Sequence, residues 1–415
     1  MTHTADPFPA VLDEILPRLD SLGITRLADT TGLDITGIPT ASATKPGTSD
    51  RLWVYSGKGE TPAEARLTAV MECLERTAAL WTTEPAWLWS TEADLAGRAN
   101  VWGPGRFTER KHENFLDREL PWVQGRCYPD QAPVWLPAHY VYNGAAPAEA
   151  GTSPFLSTST NGLGAHTSLE SALLHALLEV VERHNVSVAE VRASHASYIP
   201  LAGLAAQLGL DERVLANFSD NVDLAATIDP DSLPPSLGRL VDRFTGAGLR
   251  LTIKEIPSNI DLPTFGVAAI EEVGLDEYLG CAGYGCALTK ERALRAALLE
   301  LAQTRATDLQ GAREDRHDVE KRRLTSFPAT HWLASPGRSV PFTEGRLQAL
   351  SPAEALRSVS DRLVSAGYGS WAYVAFPQYE GIHACRVVVP GVETWHASGG
   401  WSEFGTALRS ATGMQ

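Results

Sequence analysis

The spacing of hydrophobic residues along the chain predicts both helices and strands. Apolar residues recur at helical intervals across 9–22, which predicts an amphipathic helix. Short apolar runs at 52–55, 250–253 and 385–389 have the length and residue types of strands. These segments interleave without a strict strand–helix–strand order, which favours a mixed α/β or α+β fold.

One pattern occurs three times, beginning at Gly57, Gly162 and Gly283. Each copy has Gly-x-Gly, which we interpret as a loop, then a threonine and an apolar run ending in Glu-x-x-Glu or Glu-x-x-Gln. Thr61 and Thr167 each precede a glutamate by three residues, which predicts two capping boxes. Thr289 has an acid in the following first turn, where the helix dipole favours it. We therefore predict that each copy starts a helix at its threonine.

The repeated motif places paired polar side chains on apolar helices, because residues three apart share a helix face. The pairs are Glu72 and Glu75, Glu179 and Glu182, and Glu300 and Gln303. Their apolar flanks predict burial, and a buried carboxylate is costly unless it is paired or bound to a metal. Hard oxygen ligands suit Mg²⁺, which usually shares its coordination sphere with nucleotide phosphates. The alternative, that each motif is a surface salt-bridge cluster, fits three matching copies poorly.

Basic residues near these motifs are candidates for charge neutralisation or phosphate binding. Arg76, Arg183 and Arg305 each follow a carboxylate or amide pair, and a guanidinium suits either role. Lys58 lies inside the first Gly-x-Gly, although no Walker A motif is present. We predict that Lys58 contacts phosphate, the alternative being an exposed loop lysine.

Composition narrows the class of protein. The 415 residues carry a net charge of -15, which argues against nucleic-acid or anionic-membrane binding. No apolar run approaches the roughly 20 residues of a membrane span, and the N-terminus lacks the pattern of a signal peptide, so we expect a cytoplasmic protein.

The charged stretch 313–323 predicts an exposed segment. Five cysteines without a CxxC pair argue against disulfides or structural zinc, and Cys281 and Cys286 fit small buried residues better than a redox or metal pair.

The three motifs resemble those of one family. Runs 57–76, 159–183 and 283–305 resemble the first, second and third motifs of YcaO-domain proteins. Segment 23–39 is similar to the N-terminal part of stand-alone members, and 389–391 to a motif near the family's C-terminus. The resemblance implies an α+β fold of mixed sheets and helices. It also implies one catalytic unit over 1–415, with a core of about 10–395 and no fused leader-binding domain.

The resemblance implies ATP and Mg²⁺ as cofactors and the phosphorylation of a peptide amide oxygen as the activating step. By motif, the magnesium and nucleotide would be arranged by Glu72, Glu75, Glu179, Glu182, Glu300 and Gln303. ATP would be contacted by Lys58, Arg76, Ser159, Asn161 and Arg183. The resemblance identifies no separate catalytic residue.

Some positions depart from the family pattern. Thr68 stands where serine is usual, and His184 where aspartate is common. Ala296 replaces a typical arginine, with Arg295 beside it. The tail 410–415 lacks the proline-rich ending of many azoline-forming relatives. These changes indicate a divergent member.

Three functions are compatible with the motifs. In cyclodehydration, a side chain or amine of the peptide attacks the activated amide and closes an azoline or amidine ring. In thioamidation, sulfide replaces the amide oxygen with help from a TfuA-type partner. The third is a non-enzymatic ATP-binding scaffold. The absence of an evident sulfur-handling cysteine pair favours cyclodehydration. We expect a ribosomally made precursor peptide as substrate, a TfuA-type or leader-binding protein as a second partner, and an oligomeric state compatible with a homodimer.

Overall fold

The structure, a computed structural model, describes residues 8–50, 52–81, 87–107, 115–153, 159–197, 226–274, 277–312, 332–345, 350–377 and 379–393. The charged stretch 313–323 and the tail 410–415 lie outside these residues. The described part forms an α+β fold, as expected. None of its helices combines the length and the apolar character that a membrane crossing demands.

The described residues form eight α-helices. They are α1 (Phe8–Ile15), α2 (Pro62–Ala78), α3 (Glu92–Ala96), α4 (Ala138–Val141), α5 (Leu169–Ser197), α6 (Pro235–Gly246), α7 (Lys290–Gln310) and α8 (Pro352–Ser365). The predicted helix at 9–22 is shorter than expected, because a 3-10 turn at Leu16–Arg18 follows α1. Its Pro17 cannot donate a backbone hydrogen bond, which disfavours a continuous helix.

Fourteen strands form three sheets in the described residues. The strands are β1 (Arg26–Asp29), β2 (Thr40–Thr44), β3 (Val54–Lys58), β4 (Leu88–Ser90), β5 (Leu120–Tyr128), β6 (Pro133–Pro137), β7 (Leu163–His166), β8 (Thr227–Asp229), β9 (Arg250–Glu255), β10 (Thr264–Gly274), β11 (Glu277–Cys286), β12 (Ser339–Pro341), β13 (Trp371–Phe376) and β14 (His383–Val388). The sheet orders are β1-β2-β3, β11-β10-β9-β8-β12 and β4-β5-β13-β14-β7, with β6 pairing β5. All pairings are antiparallel except β8 with β12.

The repeated sequence motif is a repeated strand–helix unit. The strands β3, β7 and β11 each lie at the edge of a different sheet. The helices that follow them are α2, α5 and α7, and each carries one of the polar pairs. Fifteen residues separate Gly57 from Glu72, Gly164 from Glu179, and Gly285 from Glu300. The three units therefore share one geometry, although each belongs to its own sheet.

The prediction that the Gly-x-Gly motifs are loops is only partly right: Gly59 and Gly162 lie just outside strands, but the third motif lies entirely on β11. Gly57, Gly164 and Gly285 lie on strands. A Cβ at Gly57 would lie 2.2 Å from Ala65 O, and a Cβ at Gly285 would lie 2.2 Å from Ala293 O. Such distances are impossible for a real side chain. The glycines let each helix backbone press directly against its strand.

The predicted helix starts are largely confirmed. The hydroxyls of Thr61 and Thr289 accept hydrogen bonds from the backbone N–H groups three residues later. Thr167 was the wrong residue for the second unit, because α5 begins at Leu169 and Ser168 Oγ accepts from Ser171 N. Serine fills the same capping role as threonine.

Buried apolar residues pack each helix against its sheet. Val70, Cys73 and Leu74 of α2 belong to one core cluster, and Leu177 and Val181 of α5 to another. A third cluster contains Leu294, Leu298 and Leu301 of α7, and all three are fully buried. The opposite stripe of each helix carries the polar pair. The amphipathic pattern therefore turns three sets of carboxylates towards a common space between the sheets.

Candidate active site

The structure brings the six predicted metal residues together. Gln303 Nε2 donates to Glu72 Oε2 over 3.0 Å, which joins α7 to α2. The charges of Glu72 and Glu179 act on Glu75, and those of Glu300 and Glu179 act on Glu182. The predicted convergence of the three pairs is therefore confirmed as geometry, and their role as metal ligands stays a prediction.

Two of the predicted basic residues face this convergence. Lys58 Nζ lies 3.0 Å from Glu300 Oε2, with both side chains about a quarter exposed. Arg183 Nη2 lies 3.7 Å from Glu179 Oε1 on the next turn of the same helix. Both cations remain accessible from solvent, so a phosphate group can reach them.

The backbone around Lys58 is held by the unusual threonine. Thr68 Oγ1 donates to Lys58 O over 2.8 Å and accepts from Lys58 N over 2.9 Å. This exchange ties the end of β3 to α2 and fixes the lysine above the carboxylates. A serine hydroxyl can make the same bonds, so the Thr68 departure preserves this contact.

The electrostatics show an acidic cleft that lacks enough positive charge. Burial, followed by the charges of Glu179 and Glu72, raises the pKa of Glu75 well above its usual value. Burial and then Glu300 raise the pKa of Glu182 to about 8. Burial also acts on Glu300, but Lys58 and Arg183 outweigh it and lower the pKa of that carboxyl. Added cations would therefore ionise Glu75 and Glu182.

The nucleotide residues predicted from the second motif lie beside the carboxylates. Glu179 Oε2 accepts from Gly162 N, and Gly162 directly follows Asn161. Asn161 is 8 % exposed, and no described residue forms a hydrogen bond with its Oδ1. Ser159 Oγ accepts from Asn161 N over 3.3 Å. An amide oxygen that is buried without a partner indicates a missing ligand.

These residues fit a Mg²⁺–nucleotide better than a bare metal ion. In the described part of the chain, no three His, Cys, Asp and Glu side chains are grouped so as to hold a metal by themselves. Magnesium bound to a nucleotide takes several of its oxygen ligands from phosphates and water. The spread carboxylates, the two accessible cations and the orphan amide oxygen of Asn161 match that requirement.

Two of the predicted arginines form ion pairs with carboxylates of the protein itself. Arg76 Nε and Nη2 donate to Asp50 over 2.8 and 3.0 Å, and Asn143 also donates to this buried carboxylate. Arg305 forms ion pairs with Asp34 and Glu271. Sequence spacing could not reveal these partners, because they are distant along the chain. ATP contact by Arg76 stays a prediction and requires it to leave Asp50.

At the other departures from the family pattern, Arg295 and His184 also bind partners outside the six predicted metal residues. Arg295 binds the carboxylates of Glu60 and Glu64, so it does not replace the arginine missing at Ala296. His184 Nδ1 accepts from Glu393 N over 3.0 Å, so the neutral ring donates from Nε2 to the Tyr368 hydroxyl.

Two buried ionisable groups were not predicted from the sequence. Arg386 on β14 is 4 % exposed, and the charges of Glu75 and Glu179 act on it. Glu190 on α5 is fully buried, and burial raises its pKa to about 8. Two signals were available in the sequence. Arg386 is the one arginine in the predicted strand at 385–389, and Glu190 follows Glu182 by about two helical turns.

Comparison with known proteins agrees with this site. A family model described as YcaO cyclodehydratase, ATP- and Mg²⁺-binding, matches residues 56–393. A protein of Rhizobium leguminosarum bv. trifolii, described as an uncharacterized protein in the tfuA 3' region, is 28% identical over 394 residues, 91% of this chain and 86% of the relative.

Solved structures share the fold. The YcaO protein from Methanopyrus kandleri bound with AMPPCP and Mg²⁺ has a TM-score of 0.66 and 21% identity, covering 93% of this chain and 91% of that chain. A heterocyclase in complex with substrate and cofactor has a TM-score of 0.66 and 16% identity, covering 92% of this chain and 52% of that chain. The motifs, the three-unit site and the family match over 56–393 together show that this chain belongs to the YcaO family, with ATP and Mg²⁺ as its cofactors.

Proposed function

We propose that this protein uses ATP to phosphorylate a backbone amide oxygen of a ribosomally made precursor peptide. A thiol, hydroxyl or amine of the same peptide then bonds to the amide carbon. The carbon–oxygen bond breaks and phosphate leaves. The nucleophile and the amide nitrogen each lose a proton, and a carbon–nitrogen double bond forms. The product is an azoline or amidine ring.

One observation supports this proposal above the others. Five carboxylates and one amide from three different helices meet beside Lys58 and Arg183. A structural role alone would not favour such repulsion in a buried region, since replacing charges with apolar groups would be more stable. The arrangement suits a highly charged ligand that carries its own cations.

The residues of this chain take distinct roles in the proposal. The glutamates and Gln303 would hold Mg²⁺ directly or through water, and Ser159 and Asn161 would bind the nucleotide. When bound, Mg²⁺–ATP supplies the phosphoryl group and turns a poor leaving group into a good one. Lys58 and Arg183 would stabilise the negative charge that develops on the phosphate oxygens. Their approach from two units would also orient the transferred group.

Thioamidation is the second candidate function. The Rhizobium relative, named for its position 3' of tfuA, supports it. In this case sulfide from a partner protein would attack the same activated amide, and the oxygen would leave as phosphate. The nucleotide site would be used identically, so its geometry supports both reactions.

Mass spectrometry of peptides separates the two reactions. The protein is incubated with Mg²⁺–ATP and precursor peptides encoded by neighbouring genes, with and without any TfuA-type partner. Cyclodehydration lowers the peptide mass by about 18 Da, and replacement of oxygen by sulfur raises it by about 16 Da. Glu182→Gln serves as the inactive control. Peptide-independent ATP hydrolysis with no mass change in any peptide would contradict both proposals.

A further inference from the structure

We propose that Arg386 is a positioning residue of the nucleotide site. It holds the segment that carries Ser159 and Asn161 next to the carboxylates of Glu75 and Glu179. The inference rests on the nucleotide site proposed above and is independent of the peptide reaction that follows.

Arg386 is a charged side chain in a buried position, where it loses its hydration. It lies on β14 opposite Leu163 of β7 and Val374 of β13, and only 4 % of it is exposed. Its strand neighbours Cys385 and Val387 are buried apolar residues. Burial of a guanidinium is costly unless nearby groups compensate for the lost hydration. The groups that surround Arg386 therefore indicate the role of its charge.

The first compensating group is the backbone of the second motif. Arg386 Nη1 donates to Ser159 O over 2.8 Å. The Ser159 hydroxyl in turn accepts from Asn161 N, and the Oδ1 of Asn161 has no partner in the described part of the chain. One buried cation thus fixes the short segment in which both predicted nucleotide residues lie.

The second compensation comes from carboxylates on two different helices. After Tyr140, the groups whose charges act on Arg386 are Glu179 of α5 and Glu75 of α2. Backbone contacts place Glu179 close by, because its Oε2 accepts from Gly162 N and Gly162 O accepts from Val387 N over 2.7 Å. Arg386 therefore lies where two of the repeated units meet, and it offsets the repulsion between their carboxylates.

A comparison with Arg76 separates positioning from simple structural pairing. Arg76 makes a two-pronged ion pair with Asp50, as a structural arginine does. Among the residues that the structure describes, Arg386 has no such carboxylate partner within hydrogen-bond distance, and its buried Nε has no partner. Its carboxylate neighbours are the predicted magnesium residues. We therefore expect its loss to change ligand binding as well as stability.

The test measures binding of Mg²⁺–AMPPCP by calorimetry without any peptide. Arg386→Met keeps the length of the side chain and removes the charge, and Arg386→Lys keeps the charge without the planar fork. Arg126→Met is the matched control, because that arginine lies on β5 and is exposed. We expect the dissociation constant to rise about tenfold or more in Arg386→Met, less in Arg386→Lys, and to stay unchanged in the control. Unchanged affinity in folded Arg386→Met would overturn the inference.

A double-mutant cycle covers the case in which Arg386→Met does not fold. Arg386→Lys and Asn161→Ala are combined, and each variant is titrated with Mg²⁺–AMPPCP. If Arg386 positions Asn161, the combined loss of affinity is smaller than the product of the two single losses. Independent, multiplicative losses would show that Arg386 acts elsewhere. If the unmodified protein itself fails to bind Mg²⁺–AMPPCP, the proposed nucleotide site is wrong, which is a different outcome.

Discussion

The first and second repeated units have the same sequence pattern but use their arginines differently. Arg76 and Arg183 each follow the second glutamate of the pair. Arg76 is bound to Asp50, which lies on the segment before β3 and is 2 % exposed. Arg183 stays beside Glu179 at the cleft and is 28% exposed. Equal positions in a repeat therefore do not imply equal roles, because a single buried neighbour decides which arginine is available to a ligand.

Replacing the two arginines in turn should give opposite results. Arg76→Ala leaves Asp50 buried without its main partner, so we expect a loss of about 3 kcal/mol or more in the free energy of unfolding. Arg183→Ala removes a partly exposed cation, so stability should change little while nucleotide affinity falls about tenfold. Chemical denaturation and calorimetry measure the two quantities. Similar effects on stability in both variants would remove the distinction between the two units.

The second unit should carry the larger share of ATP turnover. Glu182→Gln keeps the shape of the side chain and removes its charge from the metal site. We expect peptide-dependent ATP hydrolysis to fall about 100-fold, because charge stabilisation at the phosphates is lost. The metal-free variant should fold normally and melt at the same or a higher temperature, since its folded state no longer has to take up a proton at neutral pH. A lower melting temperature with intact turnover per folded molecule would assign Glu182 a structural role.

Lys58 tests what the first unit contributes to nucleotide binding. In Lys58→Ala, Glu300 loses its 3.0 Å partner at the cleft. We expect the affinity for Mg²⁺–AMPPCP to fall roughly tenfold, with little loss of stability because the pair is partly exposed. Arg239→Ala, at an exposed position of α6, is the matched control. Equal affinity in the wild type and Lys58→Ala would show that the lysine is not a phosphate ligand.

The stability of the metal-free protein should also depend on pH. The folded protein keeps a proton on Glu182 up to about pH 8, whereas the unfolded carboxyl releases it near 4.5. The metal-free protein should therefore lose stability as pH rises between these values, because its folded state binds more protons. Thermal melts across this window measure the slope, which should be shallower in Glu182→Gln. An identical slope in both proteins would place the proton on another group.

Much of the site was predictable because its information is local. Helical spacing identified all three polar pairs, and capping threonines located two of the helix starts. The failures concern contacts between distant segments. Sequence could not show that Asp50 binds Arg76, or that Gly57 packs against a helix instead of forming a loop. Arg386 was overlooked because its meaning depends on Glu75 and Glu179, which lie far from it in the chain.

The polar side chains of α7 also cover backbone groups on the edges of two sheets. An edge strand exposes backbone groups that can pair with a strand of another molecule. On β3, Gln303 Nε2 donates to Ser56 O, and on β11 the backbone of Tyr284 is hydrogen-bonded to Glu300. The same α7 side chains that face the cleft thus occupy hydrogen-bonding positions on two sheet edges. Substitutions at Glu300 or Gln303 would therefore leave a backbone group of Tyr284 or Ser56 without its side-chain partner, so they should lower stability as well as remove a contact in the cleft.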